Sequence, residues 1–234
     1  MPKLLILGSG PNVTDCRHWP RAPFDRIVAI NNAWRVRPDW DDLVAPEDFP
    51  AERHPPSLSP GQRLIEADAF VPAQNAYGGF VYAGGTMAFT AAYWALHALR
   101  PRLIAFLGCD MVYPTSGATH FYGTGTADPL RDDITLRSLE AKSARLMILA
   151  ARQGCRTVNL SQEKESRLIL PRARREALDG PVQKFDAQLV NRALRREAEL
   201  GYMVPSGRYW DEAEWFSIDE IDALDALWLA AARG

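Results

Sequence analysis

The chain has 234 residues, of which 47% are hydrophobic and 24% charged, with a formal net charge of −2. A chain of that length buries enough surface to fold without a disulfide or a metal, and its charge gives no overall field to draw nucleic acid or an acidic membrane. The three cysteines, Cys16, Cys109 and Cys155, are odd in number and lack C-x-x-C spacing. They argue against a disulfide framework and a zinc site, and they fit a reducing cytoplasm.

In chain order, Lys3–Leu7 is a short apolar run stopped by Gly8 and reads as a buried parallel strand rather than a secretory signal. Arg26–Ile30 reads the same way and runs into Asn31-Asn32, and Asp42–Val44 is a weaker third strand. Residues 50–63 carry Pro and Ser and read as a surface loop. No charge lies between Asp68 and Arg100, but Pro72, Gly78, Gly79, Gly84 and Gly85 break up the first half of that stretch. The apolar remainder is too short to span a bilayer, so 85–99 reads as a core helix ended by Pro101.

Residues 102–107 form the clearest central strand, closed by Gly108. A long polar loop, 109–128, follows, and loops of that length inside compact domains usually carry function. Residues 134–153 read as an amphipathic helix stopped by Gly154, and 156–160 as another strand. Strands alternating with helices predict an α/β, Rossmann-like, mostly parallel sheet with helices on both faces. Beyond residue 165 the apolar strands cease. Helices are expected over 184–200 and 217–232, the second opened by a Ser217-x-x-Glu220 capping box. The chain thus divides into a nucleotide-binding unit, 1–165, and a helical C-terminal appendage, 166–234. Trp210, Trp215 and Trp228 in the appendage suggest packing against something apolar, either its own domain or a second subunit. The basic runs around Arg172–Arg175 and Arg192–Arg196 alternate with glutamates and read as solvated faces rather than nucleic-acid patches.

Ligands of open α/β sheets sit beyond the carboxyl ends of the strands. Four features fall there. Gly8-Ser9-Gly10-Pro11-Asn12 follows the first strand, and its glycines let backbone N–H groups approach an anion. It is neither G-x-G-x-x-G nor a Walker loop. Asn31 and Asn32 end the second strand and carry donors and acceptors suited to a base edge or a sugar, or to a plain turn. Gly84-Gly85-Thr86 precedes the apolar helix, either to attract phosphate at its N-terminus or to allow close packing. Gly108-Cys109-Asp110 ends the central strand and leads to Tyr113, His120 and Tyr122. His120 is a candidate general base, with Asp110 to orient it or hold the loop.

The order of these motifs resembles the bacterial sialyltransferases of glycosyltransferase family 42, and also the domain of archaeal hydroxymethylpterin pyrophosphokinase-like proteins. The resemblance spans about residues 3–160. It implies that Gly8, Ser9, Gly10, Pro11 and Asn31 line a pocket for a nucleotide sugar, usually carried on cytidine monophosphate. It implies that Gly84-Gly85 matches the family's Ser-Gly turn, that Asp110 belongs to its Gly-x-Asp and that Tyr113 approximates its phosphate-binding tyrosine. The family's His-Tyr-x-Gly-His reads here His120-Phe121-Tyr122-Gly123-Thr124, so Thr124 stands where the family has its base.

Three functions follow as expectations. The first is a glycosyltransferase-like, cytoplasmic bacterial enzyme with a nucleotide-sugar donor and no cofactor or metal, in which His120 is the base and Tyr113 and Tyr122 steady the departing phosphate. The second is a magnesium-dependent phosphotransferase using Asp110, Asp128, Asp132 or Asp133. The third is a nucleotide-binding module without turnover.

Overall fold

A computed structural model describes residues 1–113, 116–125 and 131–234. Its centre is a sheet of six strands: β1 (Lys3–Leu7), β2 (Arg26–Ile30), β3 (Asp42–Val44), β4 (Arg63–Ile65), β5 (Leu103–Leu107) and β6 (Arg156–Asn159). They lie in the order β4-β3-β2-β1-β5-β6, and every neighbouring pair is parallel. The fold is therefore α/β and Rossmann-like. The chain winds outward from β1 in one direction through β2 to β4 and in the other through β5 to β6. The strand order reverses between β1 and β5, which is where such sheets open a crevice.

Strand β4 emerges from a stretch that reads as a loop. Its three residues, Arg-Leu-Ile, are only partly buried, as suits the edge strand that it is. Asp42 helps fix it: this fully buried carboxylate on β3 takes hydrogen bonds from Arg26 on β2 (2.9–3.0 Å) and from Arg63 on β4 (2.7 and 2.9 Å). A buried carboxylate needs such partners, and here they tie three strands together.

The α-helices are α1 (Ala67–Asn75), α2 (Phe80–Ala83), α3 (Met87–Ala98), α4 (Leu139–Arg152), α5 (Ala187–Leu200) and α6 (Ile218–Ala231). Helix α1 runs through Pro72, so the stretch broken by Pro and Gly is more helical than its composition suggests. The expected 134–153 helix splits into a 3₁₀ turn, Ile134–Leu136, and α4, because Ser138 caps the Ala141 N–H. Ser217 accepts from the Glu220 N–H as the capping-box pattern anticipates.

The two sheet faces are covered differently. Leu4, Ile6, Val28, Ile104 and Phe106 point to the face on which all the longer α-helices pack. Leu5, Leu7, Ile27, Ala105 and Val158 point to the other, which is covered by the 3₁₀ helices Pro11–His18 and Asn31–Arg35 and by extended segments around Trp40 and Leu178. The expectation of helices on both faces thus holds only in the sense of short 3₁₀ turns on the second face.

Helices α5 and α6 form a further layer over α4 and share one hydrophobic core with the sheet through Val190, Ala193, Leu224 and Trp228. Two buried ion pairs fasten that layer. Lys142 meets Asp225 at 2.9 Å, and Arg145 meets Glu197 at 2.8 Å through both carboxylate oxygens. The Trp228 indole also donates to Glu197 (2.8 Å). Among the described residues no helix is long and apolar enough to cross a membrane.

Candidate functional site

A cleft of about 660 Å³ opens where the strand order reverses. Its floor is made by two glycine turns that touch. The Gly8 N–H donates to the Leu107 carbonyl and the Gly10 N–H to the Gly108 carbonyl, both at 2.8 Å. A Cβ on Gly8 would lie 2.3 Å from the Gly108 carbonyl oxygen, and Gly108 itself has φ +73° with Val13 against it. The glycines are required by this backbone crossing.

Asn31 and Asn32 form the wall at the end of β2 and open the 3₁₀ helix there, Asn31 with φ +51°. Asn32 is almost wholly buried, and the Oδ1 atoms of both side chains are buried without a hydrogen-bond partner among the described residues. Each such orphan costs on the order of 1–3 kcal/mol unless a ligand or water meets it, and Gln74 Oε1 and Asn75 Oδ1 are further orphans away from the cleft.

Thr86, Met87 and Ala88 bring the N-terminus of α3 to the same cleft. Thr86 caps the Phe89 N–H, while the Met87 and Ala88 N–H groups have no intrahelical acceptor in any α-helix. Gly84 and Gly85, read from sequence as part of this anion site, are not among the cleft-lining residues. A Cβ on Gly84 would meet Phe89 at 2.7 Å, and one on Gly85 would meet Thr135 at 2.4 Å, so both serve close packing.

The opposite wall carries His120, Tyr113 and Tyr122. The imidazole is buried and flanked by both tyrosines, with the Tyr122 ring 5.0 Å away at 23° and the Tyr113 ring 5.9 Å away at 40°. Nδ1 lies 2.8 Å from the Thr119 hydroxyl, which also accepts from the Gly125 N–H (3.0 Å) and approaches the Gly125 carbonyl (3.3 Å). When the hydroxyl proton goes to that carbonyl, Nδ1 is the ring's donor and Nε2 keeps the lone pair that a general base needs. The Phe121 N–H donates to the Ser9 carbonyl (3.0 Å), fastening this loop to the first glycine turn. Thr124, aligned by resemblance with a family base, donates to the Gly117 carbonyl (3.0 Å) and does not line the cleft.

Asp110 lines the cleft, but its carboxylate accepts from Asn12 (2.9 Å) and Asn159 (3.1 Å) and lies 3.7 Å from Arg172. The Asn12 amide also donates to Ser161 (2.8 Å). Asp110 and Asn12 thereby brace the ends of β1, β5 and β6 against one another. Asp133 is occupied elsewhere, capping Thr135 and accepting from Arg131 and Tyr209. Asp132 does not line the cleft, and Asp128 lies outside the described residues. Among the described residues no group of three His, Cys, Asp or Glu is placed to hold a metal ion. Burial pushes the Cys109 thiol, at the cleft floor, far above its ordinary value, which disfavours the thiolate.

The sequence motifs leave out Phe49 and Arg53, and Glu163, Lys164 and Glu165, all of which line the cleft. They follow β3 and β6, so the rule about carboxyl ends of strands points to them too. Arg53 and Lys164 make no ion pair among the described residues, and both are exposed at the rim. Comparison with protein-family models, curated proteins and solved structures returns no match to this chain.

Proposed function

We propose that this cleft binds a nucleotide or nucleotide sugar and that the protein is a glycosyltransferase-like enzyme. One observation carries the reading. A single cleft at the strand-order reversal joins two glycine turns, a helix N-terminus and two partnerless amides on one side to a tyrosine-flanked histidine on the other. The first side suits an anion with a hydrogen-bonding base or ribose, because free N–H groups favour the phosphate and the amides take polar edges. The second side suits proton transfer.

In this reading His120 removes the proton of an acceptor hydroxyl as its oxygen bonds to the anomeric carbon of the donor. The bond from that carbon to the phosphate oxygen breaks, and the nucleotide leaves with the electron pair. Hydroxyls of Tyr113 and Tyr122 and the N–H groups of Met87 and Ala88 offset the charge on the departing phosphate. The family resemblance makes cytidine monophosphate the first carrier to test, and a sialyl-type sugar the first donor.

A thermal-shift panel of cytidine, uridine, guanosine and adenosine phosphates, each with and without magnesium, tests the proposal. A ligand at a hundred times its Kd stabilises by about 2.7 kcal/mol. A rise with cytidine monophosphate that ignores magnesium supports the reading. A rise that requires magnesium and an adenine nucleotide replaces it with phosphotransfer, and no rise with any of them removes it.

A further inference from the structure

A second cavity, of about 530 Å³, adjoins the cleft. Met111, Val112, Tyr113, Lys164 and Glu165 line both, so the two meet along that strip, whereas the glycine turns, Asn31, Asn32 and His120 line the cleft alone. The second cavity adds Glu140, Ser166 and Arg167. Three elements build it. Residues 111–113 continue from β5, 164–167 follow β6, and Glu140 stands in the first turn of α4. The Arg167 N–H donates to the Asp110 carbonyl (2.9 Å), which holds the first two segments side by side. The Ser166 hydroxyl accepts from the Asn159 amide (3.0 Å) and the Leu168 N–H (3.2 Å). The Arg167 guanidinium grips Glu140 through both carboxylate oxygens, at 2.9 and 3.1 Å. Burial works to raise the Glu140 carboxyl, yet it lies below its usual range, chiefly through those Arg167 bonds, so the pair is ionised at neutral pH.

The chemistry of this wall selects the ligand. Among the described residues, Glu140 and Glu165 balance Arg167 and Lys164, so the wall carries no net charge. An anion is disfavoured because the helix N-terminus at this cavity, that of α4, already carries the Glu140 carboxylate. A cation would meet Lys164 and the Arg167 guanidinium. A neutral ligand that both donates and accepts hydrogen bonds suits it best. Arg167 spends Nε and Nη2 on Glu140, which leaves Nη1 to donate to hydroxyl oxygens, while the carboxylates accept from hydroxyl hydrogens. The Tyr113 ring, Met111 and Val112 offer an apolar side to C–H groups. Hydroxyls on one edge and C–H groups on a face describe a sugar ring. Tyr113 also stands 5.9 Å, ring centre to ring centre, from His120, so a ligand lying along Tyr113 brings a hydroxyl toward the candidate base. We infer that the second cavity is a subsite for a neutral saccharide, held by the Glu140–Arg167 pair beside Tyr113. Its use as the acceptor side of the cleft rests on the glycosyl-transfer reading, whereas its binding of the saccharide does not.

The test uses the full chain and saturation-transfer NMR with methyl β-galactoside, methyl β-glucoside and the anionic methyl β-glucuronide, each with and without saturating cytidine monophosphate. The neutral glycosides should bind saturably and more tightly than the glucuronide, and should stay bound beside the nucleotide. Arg167→Ala should weaken them roughly fivefold, the worth of about one hydrogen bond, without changing any nucleotide-induced rise in melting temperature. Glu165→Ala, at an exposed position with no ion pair among the described residues, should weaken them too, and it decides the matter if Arg167→Ala does not fold. No binding of either neutral glycoside, binding unchanged in both variants, equal binding of the glucuronide, or displacement by cytidine monophosphate overturns the inference. Failure of the transfer reading looks different. No nucleotide then raises the melting temperature, while glycoside binding persists and falls in Arg167→Ala, which upholds the saccharide subsite.

Discussion

A methyl group on Gly8 would sit 2.3 Å from the carbonyl oxygen of Gly108. These residues end the two strands between which the sheet reverses its order, and their contact sets the floor of the cleft. Gly8→Ala must therefore push β1 and β5 apart at their carboxyl ends. We expect a loss of about 1–3 kcal/mol in urea unfolding, typical of overpacking. Gly61→Ala is the control, since it has open space around it although its φ is positive. Gly61→Ala thus reads the cost of a positive φ alone, which Gly8 does not have, and a Gly8→Ala loss near zero would show that the crossing yields to a methyl group.

Asn32 should show a trade between stability and binding. Its Oδ1 is buried without a partner among the described residues, so Asn32→Leu replaces an orphaned polar group by an apolar one. Such changes are close to neutral or stabilising by up to about 1 kcal/mol. The variant should melt at or above the parent temperature and lose the nucleotide-induced shift. A shift that survives would remove Asn32 from the site.

His120 should matter to turnover more than to folding. General acid–base groups contribute roughly 10²–10⁴-fold, and His120→Ala should lower kcat by that factor once a donor and acceptor are in hand. Thr119→Val removes the hydroxyl 2.8 Å from Nδ1 and should give a smaller loss with an altered pH profile. A kcat unchanged in His120→Ala sinks the assignment of the base.

The buried pair Arg145–Glu197 fastens the outer helical layer. Glu197→Ala leaves the Arg145 guanidinium buried among Tyr93 and Trp228 with its charge uncompensated. Breaking a buried pair in this way costs about 3–5 kcal/mol. Equilibrium unfolding in urea reads the loss directly, and a loss under about 1 kcal/mol, against roughly 3–5 expected, would mean that water reaches Arg145.

Acid stability follows from Asp39. Two hydrogen bonds from Arg37, at 2.6 and 2.8 Å, hold its carboxyl below the usual carboxylate range. A group whose folded pKa is lowered adds stability above its unfolded pKa of about 3.9, and that stability is lost as pH falls through the folded value. Asp39 is partly exposed, so solvent screening limits the contribution to about 1 kcal/mol. Asp39→Asn should thus be less stable than the parent at pH 7, and the two unfolding curves should converge in strong acid. A gap that persists there would assign the difference to shape rather than charge.

Much of the fold is legible in the order of the amino acids because it is local. Short apolar runs closed by a glycine or a turn read as buried parallel strands, as at Lys3–Leu7, Arg26–Ile30 and 102–107, the last of which begins one residue later in the structure. The Ser217 cap and the stop at Gly154 are likewise one-turn effects. Gly8, Asn31, Asn32, Thr86 and His120 can be picked out because their positions after strands, before a helix or in a long loop are readable in one dimension. Strand β4 is not, since its three residues become a strand only when Asp42 and β3 are beside them. Nor is the role of Gly84 and Gly85, because anion cradle and packing contact look alike until Thr135 and Phe89 are in place. Pairing across the chain decides the rest. The union of Asp110 with Asn12, Asn159 and Arg172, the Glu163–Glu165 wall and the division between buried Trp228 and exposed Trp210 and Trp215 all depend on which distant residue fills the space opposite. That is decided by packing rather than by local preference.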